Sequence, residues 1–191
     1  MLPTLSLPRI DHDKEVDVPN YRRAHVPGGT FFLTIVTRHR RPVLTHSPNL
    51  HALGNALRET QRDHPFECNA IVLLPDHWHV VMTLPSGDED FSGRIHAIKR
   101  RTIFESGDRA LWQRGFMEHT VRNERSFSRI VEYILFNPVR HGVARCPHIW
   151  PHSSFHKFVR DGIYANDWGC SCDGRRVTVR RHDAIAALAG E

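Results

Sequence analysis

The amino-acid sequence predicts an α+β fold, in which one antiparallel sheet carries helices on a face. The predicted elements follow the order strand, helix, strand, strand, helix, strand, helix. Only the turn at Pro75-Asp76 separates the two middle strands, so these strands are expected to form a hairpin. A chain of 191 residues without internal repeats suits one domain with its own core and short additions.

The first half of the chain supplies three strands and a helix. Residues 31–37 are mostly β-branched or aromatic, as in a buried strand. Ser47-Pro48 predicts the start of a helix that continues to about Gln61, because serine favours the N-cap and proline the first helical position. Residues 66–74 and 77–84 have the composition of strands.

The second half supplies two helices with a strand between them. Residues 116–121 form the strand, and Asn123 is expected to cap the helix that follows it. We expect Pro138 to end this last helix. Apolar stripes define both helices: Phe91, Ile95, Ile98 and Thr102 in the earlier one, and Phe127, Ile130, Val131 and Ile134 in the later one.

The chain is expected to have three parts. Residues 1–27 are proline-rich and irregular and form an N-terminal arm, residues 28–145 form the main domain, and residues 146–191 form a loop-rich C-terminal extension. No stretch is long and apolar enough for a membrane span, and the N-terminus lacks the pattern of a signal peptide. We therefore expect a cytoplasmic protein.

The extension contains several cysteines and histidines. Four cysteines in the chain are too few for a disulfide scaffold, and Cys170-Ser171-Cys172 has no second cysteine pair to complete a zinc site. Reduced, free thiols are therefore expected. His148, His152 and His156 recur every four residues, but Pro151 lies among them, which favours loop histidines over a row of metal ligands.

Positive charge is concentrated in the middle of the chain. The net charge is +5, and residues 91–145 hold 11 Lys and Arg against 5 Asp and Glu. Residues 1–90 are slightly acidic, with 9 Lys and Arg against 11 Asp and Glu. A basic segment of this kind fits nucleic-acid binding, and it fits a solvated face equally well.

His77-Trp78-His79 forms a His-x-His pattern in a predicted strand. Alternate residues of a strand share a face, so apolar Trp78, Val80 and Met82 would point to the core and both histidines to the opposite face. There they would lie close enough to bind one metal ion. Two surface histidines on a half-exposed strand are the alternative.

Tyr133 lies off the apolar stripe of the last helix. Arg129 precedes it by four residues and Asn137 follows it by four, so all three project on one side. A phenol, with its ordinary pKa near 10, needs a metal ion or a base to act as a nucleophile. Tyr133 as an amphipathic residue at the border of a helix is the alternative, and an Asn before Pro138 is also a natural helix end.

Five blocks follow one another between about Tyr21 and Gly169. They are Tyr21-Arg22-Arg23-Ala24 through Pro27-Gly28-Gly29-Thr30, then Leu74-Pro75-Asp76-His77-Trp78-His79, Trp112-Gln113-Arg114-Gly115-Phe116, Tyr133-Ile134-Leu135-Phe136-Asn137-Pro138-Val139-Arg140-His141-Gly142 and Trp150-Pro151-His152-Ser153-Ser154-Phe155. In this order they resemble the REP-associated tyrosine transposases, single-tyrosine members of the HUH endonuclease superfamily.

The resemblance implies a ferredoxin-like sheet that carries His77 and His79 as ligands for magnesium or manganese, with Asn137 as a third ligand. It implies that Tyr133 attacks single-stranded DNA and leaves a 5′-phosphotyrosine and a free 3′-hydroxyl. The usual DNA target of the family is a repetitive extragenic palindrome folded as a hairpin. Asp76 stands where Asn is common, and residues 170–191 lie outside the resemblance.

Basic residues are expected to contact the DNA. Lys99, Arg100 and Arg101 are three consecutive cations beside an amphipathic stripe. The full predicted set is Arg22, Arg23, Lys99, Arg100, Arg101, Arg114, Arg129 and Arg140.

Two other functions compete with DNA cleavage. A catalytically silent hairpin-binding protein of the same fold would have lost the tyrosine or a histidine, and this sequence retains Tyr133, His77 and His79. A zinc hydrolase unrelated to DNA would need neither Tyr133 nor the basic middle segment. A monomer is favoured over an oligomer.

Overall fold

The computed structural model describes residues 26–170 and 183–190. Four strands run through β1 (Thr30–Val36), β2 (Glu67–Leu73), β3 (His77–Thr83) and β4 (Met117–Val121). The α-helices are α1 (Asn49–Asp63), α2 (Phe91–Ser106), α3 (Glu124–Arg140), α4 (Phe155–Arg160) and α5 (Asp183–Ala189), and short 3-10 turns lie at Arg38–Arg40 and Pro147–Ile149. None of these helices is long and apolar enough to cross a membrane.

The four strands form one antiparallel sheet in the order β2-β3-β1-β4. The element order from β1 to β4 is βαββαβ, and this order with this pairing is ferredoxin-like. The predicted α+β class and the predicted β2–β3 hairpin are therefore confirmed. β3 lies between β2 and β1, with Thr34 of β1 opposite His79 of β3.

One face of the sheet packs against α1 and α2, which lie side by side. The alternation predicted for β3 is confirmed, because Trp78, Val80 and Met82 are buried on this face. The stripe predicted for α2 is also confirmed: Phe91, Ile95, Ile98 and Thr102 are all buried.

The other face of the sheet is covered as well. Phe32, Val72 and Val81 pack there against α3, and Ile185 of α5 belongs to the same cluster. The face that carries the two histidines is therefore interior rather than half-exposed.

Two helix ends differ from the sequence prediction. Asn123 caps α3 as expected, since its side chain accepts a hydrogen bond from the Ser126 amide. The prediction that Pro138 ends this helix is wrong, because α3 continues to Arg140. Proline removes one N–H donor, and this loss falls in the last turn, where the helix is about to end anyway.

The prediction that Ser47 caps α1 is also wrong. The helix begins at Asn49, Pro48 occupies the cap position, and no side chain caps this end. The Ser47 hydroxyl instead contacts Nδ1 of His51, at 3.1 Å. The local N-cap pattern therefore predicted the first residue of α1 to within about one position, but the capping hydrogen bond that it predicted does not form.

The segment after Cys146 packs on the edge of the sheet. The Ser154 amide donates to the Ile71 carbonyl at 2.8 Å, the Leu73 amide donates to the His152 carbonyl at 2.8 Å, and Phe155 is fully buried. The expectation of free thiols is wrong for two cysteines, since Cys146 and Cys170 are joined as a disulfide in this structure. Through residue 170, the predicted extension therefore lies against the main domain.

Candidate active site

His77 and His79 lie on the α3 side of β3, as the strand alternation predicts. Their ring centroids are 4.8 Å apart, and the residues are 1% and 0% exposed. The alternative of two surface histidines is therefore wrong. Buried imidazoles side by side in an otherwise apolar layer are unusual, because each ring must find polar partners or a metal ion.

The Nδ1 atom of each histidine has a polar partner. Nδ1 of His77 lies 2.7 Å from Oδ1 of Asp76, and Nδ1 of His79 lies 2.9 Å from the Thr34 hydroxyl. Because a metal-binding histidine uses one nitrogen for the ion and the other for an orienting hydrogen bond, Nε2 is the metal-binding candidate in both rings.

Asp76 links His77 to a cation at the surface. Its Oδ2 accepts a hydrogen bond from Arg40 at 3.1 Å. Burial raises the pKa of Asp76, but hydrogen bonding and charge from His77 and Arg40 outweigh it and hold this pKa at about 2. Asp76 is thus a carboxylate at neutral pH, and it places a negative charge directly behind one histidine.

Tyr133 of α3 lies beside the histidine pair. Its ring centroid is 5.5 Å from that of His79 and 5.9 Å from that of Phe32, and the residue is 1% exposed. The guanidinium of Arg140, two turns later, lies 5.5 Å from the centroid of the phenol ring. Tyr133 is therefore part of the buried layer, with a cation against its ring.

Asn137 is a buried amide one helical turn after Tyr133. The residue is 0% exposed, and among the described residues neither Oδ1 nor Nδ2 of its side chain has a hydrogen-bond partner. Leaving such a group unsatisfied costs about 1–3 kcal/mol, so a buried amide of this kind fits a ligand atom.

α3 passes over both histidines. Tyr133 contacts the ring of His79, while His141, at the end of α3, lies 5.0 Å from the ring of His77. Asn137 lies midway between these two contacts along the helix, so its amide faces the same region. Two imidazoles and one amide oxygen fit a divalent metal ion, and they form a neutral ligand set.

Three contributors to this site were missed in the sequence. Thr34 is a buried polar residue within the mostly apolar strand β1, and its position opposite His79 follows only from the register. Arg40 reaches Asp76 across a loop, which no local pattern reports. His141 could have been found from its spacing, because it follows Asn137 by four residues and lies at the C-cap of α3.

Two of the predicted DNA contacts make hydrogen bonds within the protein. Lys99 donates to the carbonyls of Gln113 and Gly115 at 2.7 and 2.9 Å, and Arg101 donates to Thr60 of α1 at 2.8 Å. Arg100 between them is exposed. All three belong to α2, which lies on the opposite face of the sheet from the histidines.

The remaining predicted cations lie in several places. Arg114, Arg129 and Arg140 are exposed, and of these Arg140 contacts the tyrosine ring. Arg22 and Arg23 lie outside the described residues. The structure thus brings Arg140, but not the α2 cations, to the Tyr133 site.

A ferredoxin-like sheet with a His-x-His strand facing a tyrosine helix defines the class of single-tyrosine HUH proteins. The family model described as transposase IS200 like matches residues 26–137. The chain belongs to this family of IS200-like transposases.

Named relatives place it more closely. A REP-associated tyrosine transposase of Escherichia coli (strain K12) is 43% identical over 148 residues, which cover 78% of this chain and 89% of the relative. A Haemophilus influenzae protein with a name of the same kind is 37% identical over 172 residues, covering 81% of this chain and 95% of the relative. The solved structure of a REP-associated tyrosine transposase bound to a REP hairpin is 39% identical, with a TM-score of 0.76 over 86% of this chain and 99% of that one.

Proposed function

We propose that this transposase cleaves and rejoins single-stranded DNA beside hairpins of repetitive extragenic palindromes, through a covalent 5′-phosphotyrosine at Tyr133. The observation that carries this proposal is the position of the Tyr133 ring, whose centroid lies 5.5 Å from that of His79, which in turn lies 4.8 Å from that of His77. The relatives named above support the DNA target, because one of them is bound to a REP hairpin. Action in the cytoplasm is part of the same proposal.

Strand transfer at this site conserves the phosphodiester. The phenolic oxygen of Tyr133 attacks the scissile phosphorus, the bond from phosphorus to the 3′ oxygen breaks, and the phenolic proton is balanced by protonation of that 3′ oxygen. Attack by a 3′-hydroxyl on the phosphotyrosine reverses these changes and rejoins DNA. Arg140 supports the step, because its charge beside the phenol ring, 5.5 Å away, favours the phenolate.

A divalent metal ion, magnesium or manganese, would be held by Nε2 of His77, Nε2 of His79 and the amide oxygen of Asn137. When bound, such an ion withdraws charge from the scissile phosphate. The protein contributes the orientation of the ligands: Thr34 and Asp76 fix the two rings, and the buried Asn137 amide has no competing partner among the described residues. Because the ligands are neutral, we expect modest metal affinity in the absence of DNA.

Tyr133 must be uncovered before attack. A residue that is 1% exposed cannot contact a phosphorus atom that arrives from solvent. DNA binding is therefore expected to displace side chains that cover the phenol, and Arg140 is a candidate because it is exposed and contacts the ring.

The test is a labelled single-stranded hairpin incubated with the protein and manganese, followed by denaturing electrophoresis. We expect a covalent adduct that disappears in excess chelator and in the variant His77→Ala/His79→Ala, while hairpin binding is largely retained, since phosphate contacts supply most of the affinity. The matched control is His46→Ala/His51→Ala, which removes two exposed histidines and should cleave normally.

Full cleavage in excess chelator would contradict the metal requirement. Tight hairpin binding with no adduct under any metal condition would indicate the second candidate, a catalytically silent hairpin-binding protein.

A further inference from the structure

A second cluster of metal-binding side chains lies near the C-terminal end of α3. It consists of Cys146, His148 and Cys170, whose ligand atoms lie within 4.8 Å of one another. Nδ1 of His148 is 3.4 Å from Sγ of Cys170. Cys146 is fully buried, and the other two residues are half-buried. None of these residues belongs to the Tyr133 site.

We propose that these three side chains bind one zinc ion when both cysteines are reduced. Thiolate and imidazole are the preferred zinc ligands, at about 2.3 Å for sulfur and about 2.0 Å for nitrogen, so three ligand atoms this close can share one ion. The fourth position of a tetrahedral site is left to water.

Formation of this site involves both protons and electrons. The disulfide between Cys146 and Cys170 must first be reduced by two equivalents of a thiol, which becomes a disulfide in exchange. Zinc then replaces the proton of each cysteine thiol, so that two protons are released for each ion bound.

The imidazole distinguishes a metal site from a simple disulfide. Two paired cysteines need no third partner, yet His148 points a ring nitrogen at one of the sulfurs. The sequence offered only Cys170-Ser171-Cys172 as an isolated pair. The fold adds Cys146-Pro147-His148, which lies more than twenty residues earlier in the chain.

The position of the cluster indicates a structural role. Cys146 and His148 flank Pro147 at a 3-10 turn that packs on α3, and Cys170 follows the segment whose residues His152 and Ser154 hydrogen-bond β2. The backbone before Cys170 approaches this turn closely, because a Cβ atom added to Gly169 would lie 3.0 Å from Cγ of Pro147. A zinc ion would therefore close the segment 146–170 against the helix that carries the nucleophile.

The test is titration of the reduced, metal-free full chain with cobalt(II), which replaces zinc and absorbs light when bound by thiolates. We expect sulfur-to-cobalt charge-transfer absorption at one cobalt per chain, followed by its loss when zinc is added. Cobalt at His77, His79 and Asn137 would give no such band, since that site has no sulfur. The result is thus independent of the proposed cleavage chemistry.

Variants assign the band to the cluster. Cys146→Ser/Cys170→Ser should abolish it, and His148→Gln should weaken cobalt affinity at least about tenfold. The matched control is Cys68→Ser, which removes the free cysteine of β2 and should leave the titration unchanged. Absence of the band in the reduced wild-type chain, or unchanged affinity in His148→Gln, would overturn the proposal.

A second measurement uses only the wild-type chain, so it tests the proposal even if Cys146→Ser/Cys170→Ser does not fold. Alkylation of the reduced wild-type chain is followed by mass spectrometry with and without zinc. Zinc should slow the modification of Cys146 and Cys170 at least about tenfold, and it should leave Cys68 unaffected. Equal rates at Cys146 and Cys170 in the two conditions would refute a zinc site here.

Discussion

The side chain of Tyr133 has two separable parts: its ring packs in the core, and its phenolic oxygen is the proposed nucleophile. The ring is enclosed by Phe32, His79 and Arg140, and a phenylalanine ring fills the same space. We therefore expect Tyr133→Phe to change the free energy of unfolding by about 1 kcal/mol or less, while the covalent DNA adduct is lost. Denaturant unfolding and denaturing electrophoresis measure the two effects.

The control for this variant is Tyr164→Phe. Tyr164 is also partly buried, with its ring 4.9 Å from that of Trp168, and it lies in the C-terminal segment. This variant should form the adduct at the wild-type level. An adduct that persists in Tyr133→Phe, or that maps to Tyr164, would show that the nucleophile has been misassigned.

A second prediction at the residue scale concerns Asp76, which orients His77. Asp76→Ala removes the carboxylate that contacts Nδ1, and we expect manganese affinity to fall by about 10- to 100-fold. Asp76→Asn retains a hydrogen-bond acceptor but not the charge, so its loss should be smaller. Isothermal titration of each variant with manganese measures this order, and equal affinities in both variants and the wild type would refute the role given to Asp76.

Among the helices, α2 contains a buried cation with a structural role. Arg94 is 4% exposed and hydrogen-bonds the carboxylate of Asp88 and the carbonyls of His64 and Pro65 at the end of α1. We expect Arg94→Met to lower the free energy of unfolding by roughly 2–3 kcal/mol at pH 7, which is modest for a buried pair because the Asp88 side chain is 34% exposed.

The loss of stability in Arg94→Met should decrease as the pH falls. The hydrogen bond from Arg94 holds the pKa of Asp88 below its ordinary value. The pair therefore stabilises the fold fully above the unfolded pKa, about 4, and this contribution disappears as the pH falls through the lower folded pKa. Thermal unfolding of Arg94→Met and wild type should converge partly at acid pH. Arg62→Met, at an ion pair in which the arginine side chain is 74% exposed, should change stability much less than Arg94→Met does.

The buried face of a strand or helix was predictable where the spacing of apolar residues within that element determined it. The alternation in β3 identified the face of His77, and the stripe of α2 identified its buried side. Burial of that His77 face was not predictable, because it depends on α3 packing across the sheet from a distant part of the chain. The intramolecular hydrogen bonds of Lys99 and Arg101 were not predictable for the same reason, since Gln113 lies in the loop after α2 and Thr60 lies in α1.

Across the whole molecule, the basic segment of α2 and the proposed catalytic site lie on opposite faces of the sheet. DNA that contacts both must therefore pass around the domain. Because Lys99 and Arg101 are engaged within the protein, Arg100 is the α2 cation best placed for phosphate. We expect Arg100→Ala to weaken hairpin binding and to reduce the slope of log affinity against log salt by about 1.

Cleavage of a short unstructured strand should be unaffected in this variant, because such a strand need only reach the Tyr133 face. Arg160→Ala, an exposed cation of α4, is the matched control for nonspecific loss of charge. Unchanged hairpin affinity and salt slope in Arg100→Ala would mean that this part of α2 is a solvated surface.

The strand that carries both histidines has a neighbour on each side, with His79 opposite Thr34 of β1 and Val72 of β2. Amide protons in such a central strand exchange with deuterium mainly through global unfolding, so β3 should be among the most slowly exchanging parts of the chain. The imidazoles are thus held in place by the fold itself, and binding of the proposed metal ion should occur without coupled folding and with a heat-capacity change near zero.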